Sequence, residues 1–135
     1  MGVLWTVLPL DNEIKSWLEE LGLAYPGGSS RLPTGQEVKE VISSLKEFDI
    51  EIIDNGIGAH WQASIVSKLS GDNDEWTLLN INEYSGDNAE QKLWFDKGSE
   101  RLITQILEEL SRKTGPLVLI ADVEGDPLII SVSSE

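Results

Sequence analysis

The sequence contains no cysteine, only one histidine and no long apolar run in its 135 residues. The lack of cysteine excludes disulfides, thiolate metal sites and cysteine nucleophiles, and it favours a reducing compartment. No stretch approaches the roughly 20 apolar residues that a membrane span requires. The first residues carry no basic segment, and their apolar run is too short for a signal peptide. We therefore expect a cytoplasmic protein with no membrane association.

Basic residues are also scarce, since 10 lysines and arginines stand against 24 aspartates and glutamates, a net charge of −14. Phosphate backbones and anionic lipid surfaces repel such a chain, and no basic cluster interleaves with aromatic residues. We therefore expect no nucleic-acid partner. A basic protein would instead be attracted, and its association would be accelerated. The alternative is that the acidity only keeps the protein soluble.

Length and hydrophobic content fit one globular domain over residues 1–135, because 40% of the residues are hydrophobic. Three segments have apolar residues at helical spacing, and the second begins with a capping box of Thr34 and Glu37. The pattern predicts an α+β domain in the order β-α-α-β-β-β-β-α-β-β, with a largely antiparallel sheet and three helices that cover one face. The predicted strands are 3–8, 50–53, 58–69, 76–84, 92–95, 117–121 and 128–132, and the helices begin at Asp11, Thr34 and about Ser99.

The residues offer little chemistry. His60, the single histidine, lies on the polar face of an alternating strand, where it is better explained by solvent contact or a structural bond than by catalysis. Ser64 on the same strand would be about 13 Å away along the strand, too far for a hydrogen bond. The acidic clusters lack the register of calcium loops, and no Gly-rich phosphate loop is present. We therefore predict no catalytic residue, no metal site and no cofactor, and a protein that is not an enzyme.

The candidate binding residues are acids and tryptophans at the two connectors of the predicted meander. Both connectors carry Ser-Gly-Asp-Asn, a composition that tight turns require. An aromatic anchor surrounded by acids is the composition expected of a site for a basic protein. Successive connectors lie at alternate ends of an antiparallel sheet, so the two clusters need not form one patch. The alternative is that the tryptophans belong to the core and the acids are merely solvated. The predicted partner-binding residues are Asp72, Asp74, Glu75, Asp87, Glu90, Trp76 and Trp94.

The last third of the chain resembles immunity proteins of bacterial polymorphic-toxin and contact-dependent growth inhibition systems. The stretches concerned are 93–98, Leu-Trp-Phe-Asp-Lys-Gly, and 115–122, Gly-Pro-Leu-Val-Leu-Ile-Ala-Asp, on either side of the third helix. The resemblance implies a small cytoplasmic protein without catalysis that binds a cognate toxin domain, often a basic nuclease. Its implied mechanism is steric occlusion of a basic active site, with carboxylates in place of substrate phosphates. It assigns no individual site residue.

Two other functions stay open. Type III secretion chaperones resemble this chain in size, acidity and α+β content, but they usually begin and end with a helix, where strands are predicted here. Such a chaperone would bind an extended segment of its partner, whereas an immunity protein binds a folded domain. A carboxylate-based hydrolase would need a deep pocket with two convergent carboxylates, at least one with a raised pKa. Edge pairing or strand exchange between two copies is a further open alternative.

Overall fold

The computed structural model describes residues 4–27, 30–67, 76–98, 100–122 and 126–131. Within these ranges seven strands form one sheet with three helices packed against it, in the predicted element order. Every strand pairing in the described sheet is antiparallel, which confirms the α+β class. No helix in the described part of the chain is long and apolar enough to span a membrane. The strands are β1 (Leu4–Pro9), β2 (Phe48–Asp54), β3 (Trp61–Ser67), β4 (Trp76–Ile81), β5 (Leu93–Asp96), β6 (Leu117–Ala121) and β7 (Leu128–Ile130), and the helices are α1 (Asn12–Glu20), α2 (Gly35–Ser44) and α3 (Glu100–Thr114).

The strands lie in the order β2-β3-β4-β5-β1-β6-β7. The first strand of the chain is therefore internal, with β5 on one side and β6 on the other. The meander β2 to β5 forms one half of the sheet, and β2 forms its outer edge. The antiparallel register, with Leu4 opposite Asp96 and Thr6 opposite Trp94, places the connector before β5 towards the end of β1.

The predicted helix starts are confirmed at α1 and α2. The Asp11 carboxylate accepts a 2.9 Å hydrogen bond from the N–H of Ile14. At α2, the Thr34 hydroxyl accepts from the N–H of Glu37 at 3.2 Å, and the Glu37 carboxylate accepts from the N–H of Thr34 at 2.9 Å. Each cap satisfies backbone donors that have no partner inside the helix.

Two helices cover one face of the sheet, and α1 covers part of the other. The main core lies between α2, α3 and the inward side chains of the strands, among them the almost completely buried Trp61 and Phe95. A smaller cluster on the opposite face packs Leu18 of α1 against Val118 of β6. The prediction that all three helices cover one face is therefore wrong for α1. The physical reason is that residues 117–121 are apolar on both faces, so both faces need cover.

Three predicted strands are shorter in the structure, and one of them, predicted over 128–132, ends at Ile130. The strand predicted from residue 58 begins at Trp61, because Gly56 and Gly58 adopt positive φ angles of 93° and 86° and form a turn. Accordingly His60 lies before β3 and is exposed, not within the strand. The strand predicted to reach Tyr84 ends at Ile81. Residues 3, 68, 69 and 132 of the predicted strands, and Ser99 at the predicted start of the third helix, lie outside the described ranges.

Candidate functional site

The open face is the side of the sheet that α1 covers only over β1, β6 and β7. Residues that pair across antiparallel strands point to the same side of the sheet, so the strand registers identify its side chains. Two adjacent rows cross this face: Gln62, Asn80, Trp94 and Thr6, and beside them Ser64, Leu78, Asp96 and Leu4. The face is polar and aromatic, in contrast to the apolar core on the other side of the same strands.

Asn80 organises one end of the open face. Its Oδ1 accepts a 2.8 Å hydrogen bond from Nε2 of Gln62 and lies 3.0 Å from Nε2 of His60. His60 therefore has a hydrogen-bond partner within the protein.

A groove of about 660 Å³ opens on this face where β1 and β5 meet the connector of residues 82–92. The half-buried Trp94 lies in the groove, and its Nε1 donates a 3.0 Å hydrogen bond to Oδ1 of Asn82, which orients the ring. Two carboxylates, Glu83 and Glu90, and the ammonium group of Lys92 line the same groove. The remaining lining residues are Leu4, Thr6, Ser85 and Leu93.

The buried side chain of Gln91 holds the connector in shape. Its Nε2 donates 2.8 Å hydrogen bonds to the carbonyl oxygens of Gly86 and Ala89, and its Oε1 accepts from the N–H of Ser85 at 2.9 Å. Gln91 is 0% exposed, so these backbone groups depend on it in place of water. The wall of the groove is therefore preorganised before any partner arrives.

Backbone contacts with α2 fix the connector from the other side. The N–H of Gln36 in the first turn of α2 donates to the carbonyl oxygen of Asp87 at 3.0 Å. The Glu90 carboxylate accepts a 3.0 Å hydrogen bond from the N–H of Leu32, just before the helix. One oxygen of Glu90 is thereby anchored at the rim of the groove.

Asp87 belongs to a compact polar cluster with Lys39 and Tyr84. The Tyr84 hydroxyl donates to Oδ1 of Asp87, and Nζ of Lys39 lies 2.9 Å from the same oxygen. These bonds, first from Tyr84 and then from Lys39, lower the pKa of Asp87. The bond to Asp87 raises the pKa of Lys39, and burial is the main cause of the raised pKa of Tyr84. The cluster joins α2 to the connector and keeps Asp87 ionised.

A second ion pair secures the start of α2. The guanidinium group of Arg31 donates hydrogen bonds of 2.6 and 2.8 Å to the two carboxylate oxygens of Glu37. This contact, assisted by the backbone bond from Thr34, lowers the pKa of Glu37 to about 2. Among the described residues, the carboxylates with a shifted pKa are Glu37 and Asp87, and both are held ionised, the reverse of what a general acid requires.

The structure brings two of the seven predicted partner-binding residues together, since Glu90 and Trp94 share the groove. Trp76 also lies on the open face and is 39% exposed, but Nζ of Lys97 already lies 5.5 Å from its ring centroid. It is four residues along β4 from Asn80, the pairing partner of Trp94, or about 13 Å. Asp87 lies on the same connector as the groove and is bonded within the protein. Asp72, Asp74 and Glu75 lie outside the described residues.

Sequence reasoning missed Asn82, Glu83, Lys92 and Gln91. The alternation of Asn80 and Asn82 along the predicted strand was a usable signal, because it places both on one face. Gln91 offered no such signal, because the sequence does not distinguish a buried glutamine from an exposed one.

Among the described residues, no group of three or more histidine, aspartate or glutamate side chains could hold a metal ion. Comparison with protein-family models, curated proteins and solved structures finds no match to this chain.

Proposed function

We propose that this chain is a binding protein of the cytoplasm that neutralises a basic protein, in the manner of an immunity protein against a toxin domain. The observation that carries the proposal is the groove, where Trp94 lies beside the carboxylates of Glu83 and Glu90 on a preorganised connector. Its volume of about 660 Å³ exceeds one long side chain and falls in the range of ligand sites.

The groove has the chemistry to receive an arginine or lysine side chain. The face of an indole ring attracts a cation, and carboxylates at the rim can accept charge-assisted hydrogen bonds from it. Lys92 offsets part of the negative charge of the groove, so the remaining negative charge is concentrated near Glu83 and Glu90. A cationic anchor therefore has one favoured place to insert, which gives specificity beyond general attraction.

The rest of the chain supports rapid association with such a partner. A net charge of −14 accelerates the encounter with a basic surface. The active sites of nucleases are basic because they bind phosphates, and surface carboxylates can occupy the same positions. Neutralisation then needs no chemistry from this chain, because a bound protein that covers the active site excludes the substrate.

Capture of partners with matched charge variants tests the proposal. The wild type, Glu83→Lys and Glu108→Lys are used as baits at low salt and at about 0.5 M salt, where the Debye length is only a few Å. Glu83 lines the groove, whereas Glu108 is exposed on α3, and both changes alter the net charge equally. We expect the wild type and Glu108→Lys to capture a basic partner, and we expect Glu83→Lys to lose it.

Neutralisation is then measured directly. The captured protein is expressed in a host whose growth it arrests, together with each variant. Rescue by the wild type and Glu108→Lys, but not by Glu83→Lys or Trp94→Leu, supports the proposal. Equal, salt-labile capture of many basic proteins by all baits would contradict it and would assign the charge to solubility.

A further inference from the structure

The strand β2 is an edge that invites pairing. Its seven residues pair with β3 in an unbroken register from Phe48 opposite Ser67 to Asp54 opposite Trp61. No strand in the described part of the chain pairs with its outer side. The outward backbone N–H and C=O groups therefore form a regular row that another strand can extend.

Three of the usual devices that prevent such pairing, proline, lysine and a bulge, are absent from this strand. Residues 48–54 contain no proline and no lysine, and the register has no bulge. Two large apolar side chains are half exposed there, Ile52 at 49% and Ile53 at 53%. They point to opposite faces, so a strand added at this edge would cover apolar surface on both faces.

The charges on β2 select what can be added. Asp49 and Glu51 point to the open face, and Asp54 points to the helix face. A second copy of the chain would bring the same carboxylates together, of which Asp54 lies 3.9 Å from Nζ of Lys39, and like charges on paired strands are destabilising. With a net charge of −14 on each copy, self-pairing is disfavoured at long range as well. A strand with basic side chains has the complementary charge.

The turn that follows this edge contacts the connector that forms one wall of the candidate groove. The turn after β2 packs on the connector, where the N–H of Gly58 donates a 2.7 Å hydrogen bond to the carbonyl oxygen of Tyr84. Ile57 in that turn is 78% exposed, and a Cβ on Gly86 would lie 3.7 Å from its Cδ1. One partner could therefore contact the connector, Ile57 and the outer edge of β2 together.

We infer that β2 accepts an extended segment of the basic partner as an additional strand, with lysine or arginine opposite Glu51 and apolar side chains opposite Ile52. Backbone hydrogen bonds would supply general affinity, and the alternating side chains would supply selectivity. The inference deepens the proposed function, because it takes the same basic protein as the partner. It differs in location, and the two can fail separately.

The test uses three short peptides with blocked ends and alternating residues. The first alternates lysine and valine, the second replaces lysine by glutamate, and the third is the lysine peptide with N-methyl groups on alternate amides. The methylated amides are those that face β2 when the lysines stand opposite Glu51, so the third peptide keeps the charge and apolar surface but cannot donate ladder hydrogen bonds to this edge. Binding is followed by amide chemical shifts and amide hydrogen exchange of the isotope-labelled protein.

We expect the lysine peptide to protect amides of β2 and the N-methyl peptide to bind about tenfold more weakly. Glu51→Lys should weaken the lysine peptide about tenfold and allow the glutamate peptide to bind. The matched control Glu108→Lys and the groove variant Trp94→Leu should leave the lysine-peptide affinity reported by the β2 amides within about twofold, near the limit of resolvable differences. Circular dichroism verifies that each variant is folded.

Three outcomes would overturn the inference. The first is that millimolar peptide does not protect β2, and the second is that the N-methyl peptide binds equally well. The third is that Trp94→Leu loses peptide binding whereas Glu51→Lys retains it. The last two assign the peptide to charge alone or to the groove and leave the proposed function standing. The converse result is that the peptide binds at β2 while groove variants have no effect on partner capture. That result would support strand addition at β2 and contradict the role of the groove in partner binding.

Discussion

The ammonium nitrogen of Lys39 lies 4.8 Å from the centroid of the Tyr84 ring. Lys39 belongs to α2, and Tyr84 belongs to the connector that forms the groove wall. The contact therefore joins the main core to the candidate site, and Asp87 completes it by bonding to both residues. Variants in this junction test whether the connector is rigid and whether the groove depends on it.

Replacement of Lys39 tests the junction itself. Lys39→Met keeps the apolar stem and removes the cation, and we expect the free energy of unfolding to fall by about 0.5–1 kcal/mol, as for a cation–π contact at a partly exposed site. Urea denaturation measures this change. Lys46→Met, at an exposed position after α2, is the control and should change stability by less than about 0.5 kcal/mol. A larger loss in the control than in Lys39→Met would contradict the role of the junction.

A methyl group at Gly35 should force α2 and the connector apart. In a helix interior, Gly→Ala normally stabilises by roughly 0.5–1 kcal/mol. Here the new Cβ would lie 2.7 Å from both the carbonyl oxygen of Gly86 and Cζ of Tyr84, so we expect a loss of about 1–3 kcal/mol. Gly27→Ala is the control, because nothing lies within 4 Å of its Cβ. A Gly35→Ala variant as stable as the wild type in urea would show that the connector yields easily.

The ion pair of Arg31 and Glu37 should give a pH-dependent contribution to stability. The folded pKa of Glu37 is about 2, below its ordinary value of 4.5, so the unfolded chain binds the proton more readily. The contribution is complete above pH 4.5 and is lost as the pH falls towards 2. We expect Glu37→Gln to lower the free energy of unfolding at pH 7 by about 1–2 kcal/mol, allowing for solvent screening of Arg31, whose side chain is 43% exposed.

Urea titrations between pH 7 and pH 3 measure this difference. It should shrink below pH 4.5, because the wild-type carboxylate then begins to lose its advantage. Glu40→Gln is the control, since Glu40 forms a surface pair with Lys113 at 3.3 Å and should contribute less than about 1 kcal/mol. A difference for Glu37→Gln that stays constant down to pH 3 would mean that charge is not its source.

Loss of the buried Gln91 amide should loosen the groove wall. Gln91→Ala leaves the N–H of Ser85 and the carbonyl oxygens of Gly86 and Ala89 without their partner, and we expect a loss of about 2–3 kcal/mol. Hydrogen exchange of the Ser85 amide should accelerate as well, because this N–H loses its hydrogen-bond acceptor. Gln36→Ala, on the exposed surface of α2, serves as the control. Unchanged exchange at Ser85 would contradict the proposed preorganisation.

The elements of the fold were predictable where one local pattern dominates. The capping box of Thr34 and Glu37 marks α2 in four residues, and the apolar run of residues 117–121 marks an internal strand. The placement of α1 on the opposite face was not predictable from its own stripe. A helix with one apolar side fits either face of a sheet, and only the apolar residues on both faces of β6 decide between them.

The candidate site was predictable only in part. Glu90 and Trp94 follow from their composition near a turn, and the structure shows that they share a groove. Asp87 belongs to the turn sequence of the same connector, yet it is bound by Tyr84 nearby and by Lys39, which is 48 residues away along the chain. Residues that only the fold brings together leave no local signal in the sequence.

The internal position of β1 has a consequence for synthesis on the ribosome. β1 is made before both of its neighbours in the sheet, which begin only at Leu93 and Leu117. The meander of β2 to β4 can pair as it emerges, whereas Trp5 and Val7 must wait for these later strands before they are buried. Until then the nascent protein exposes an apolar strand without neighbours, so its yield should depend on how quickly translation of the last third is completed.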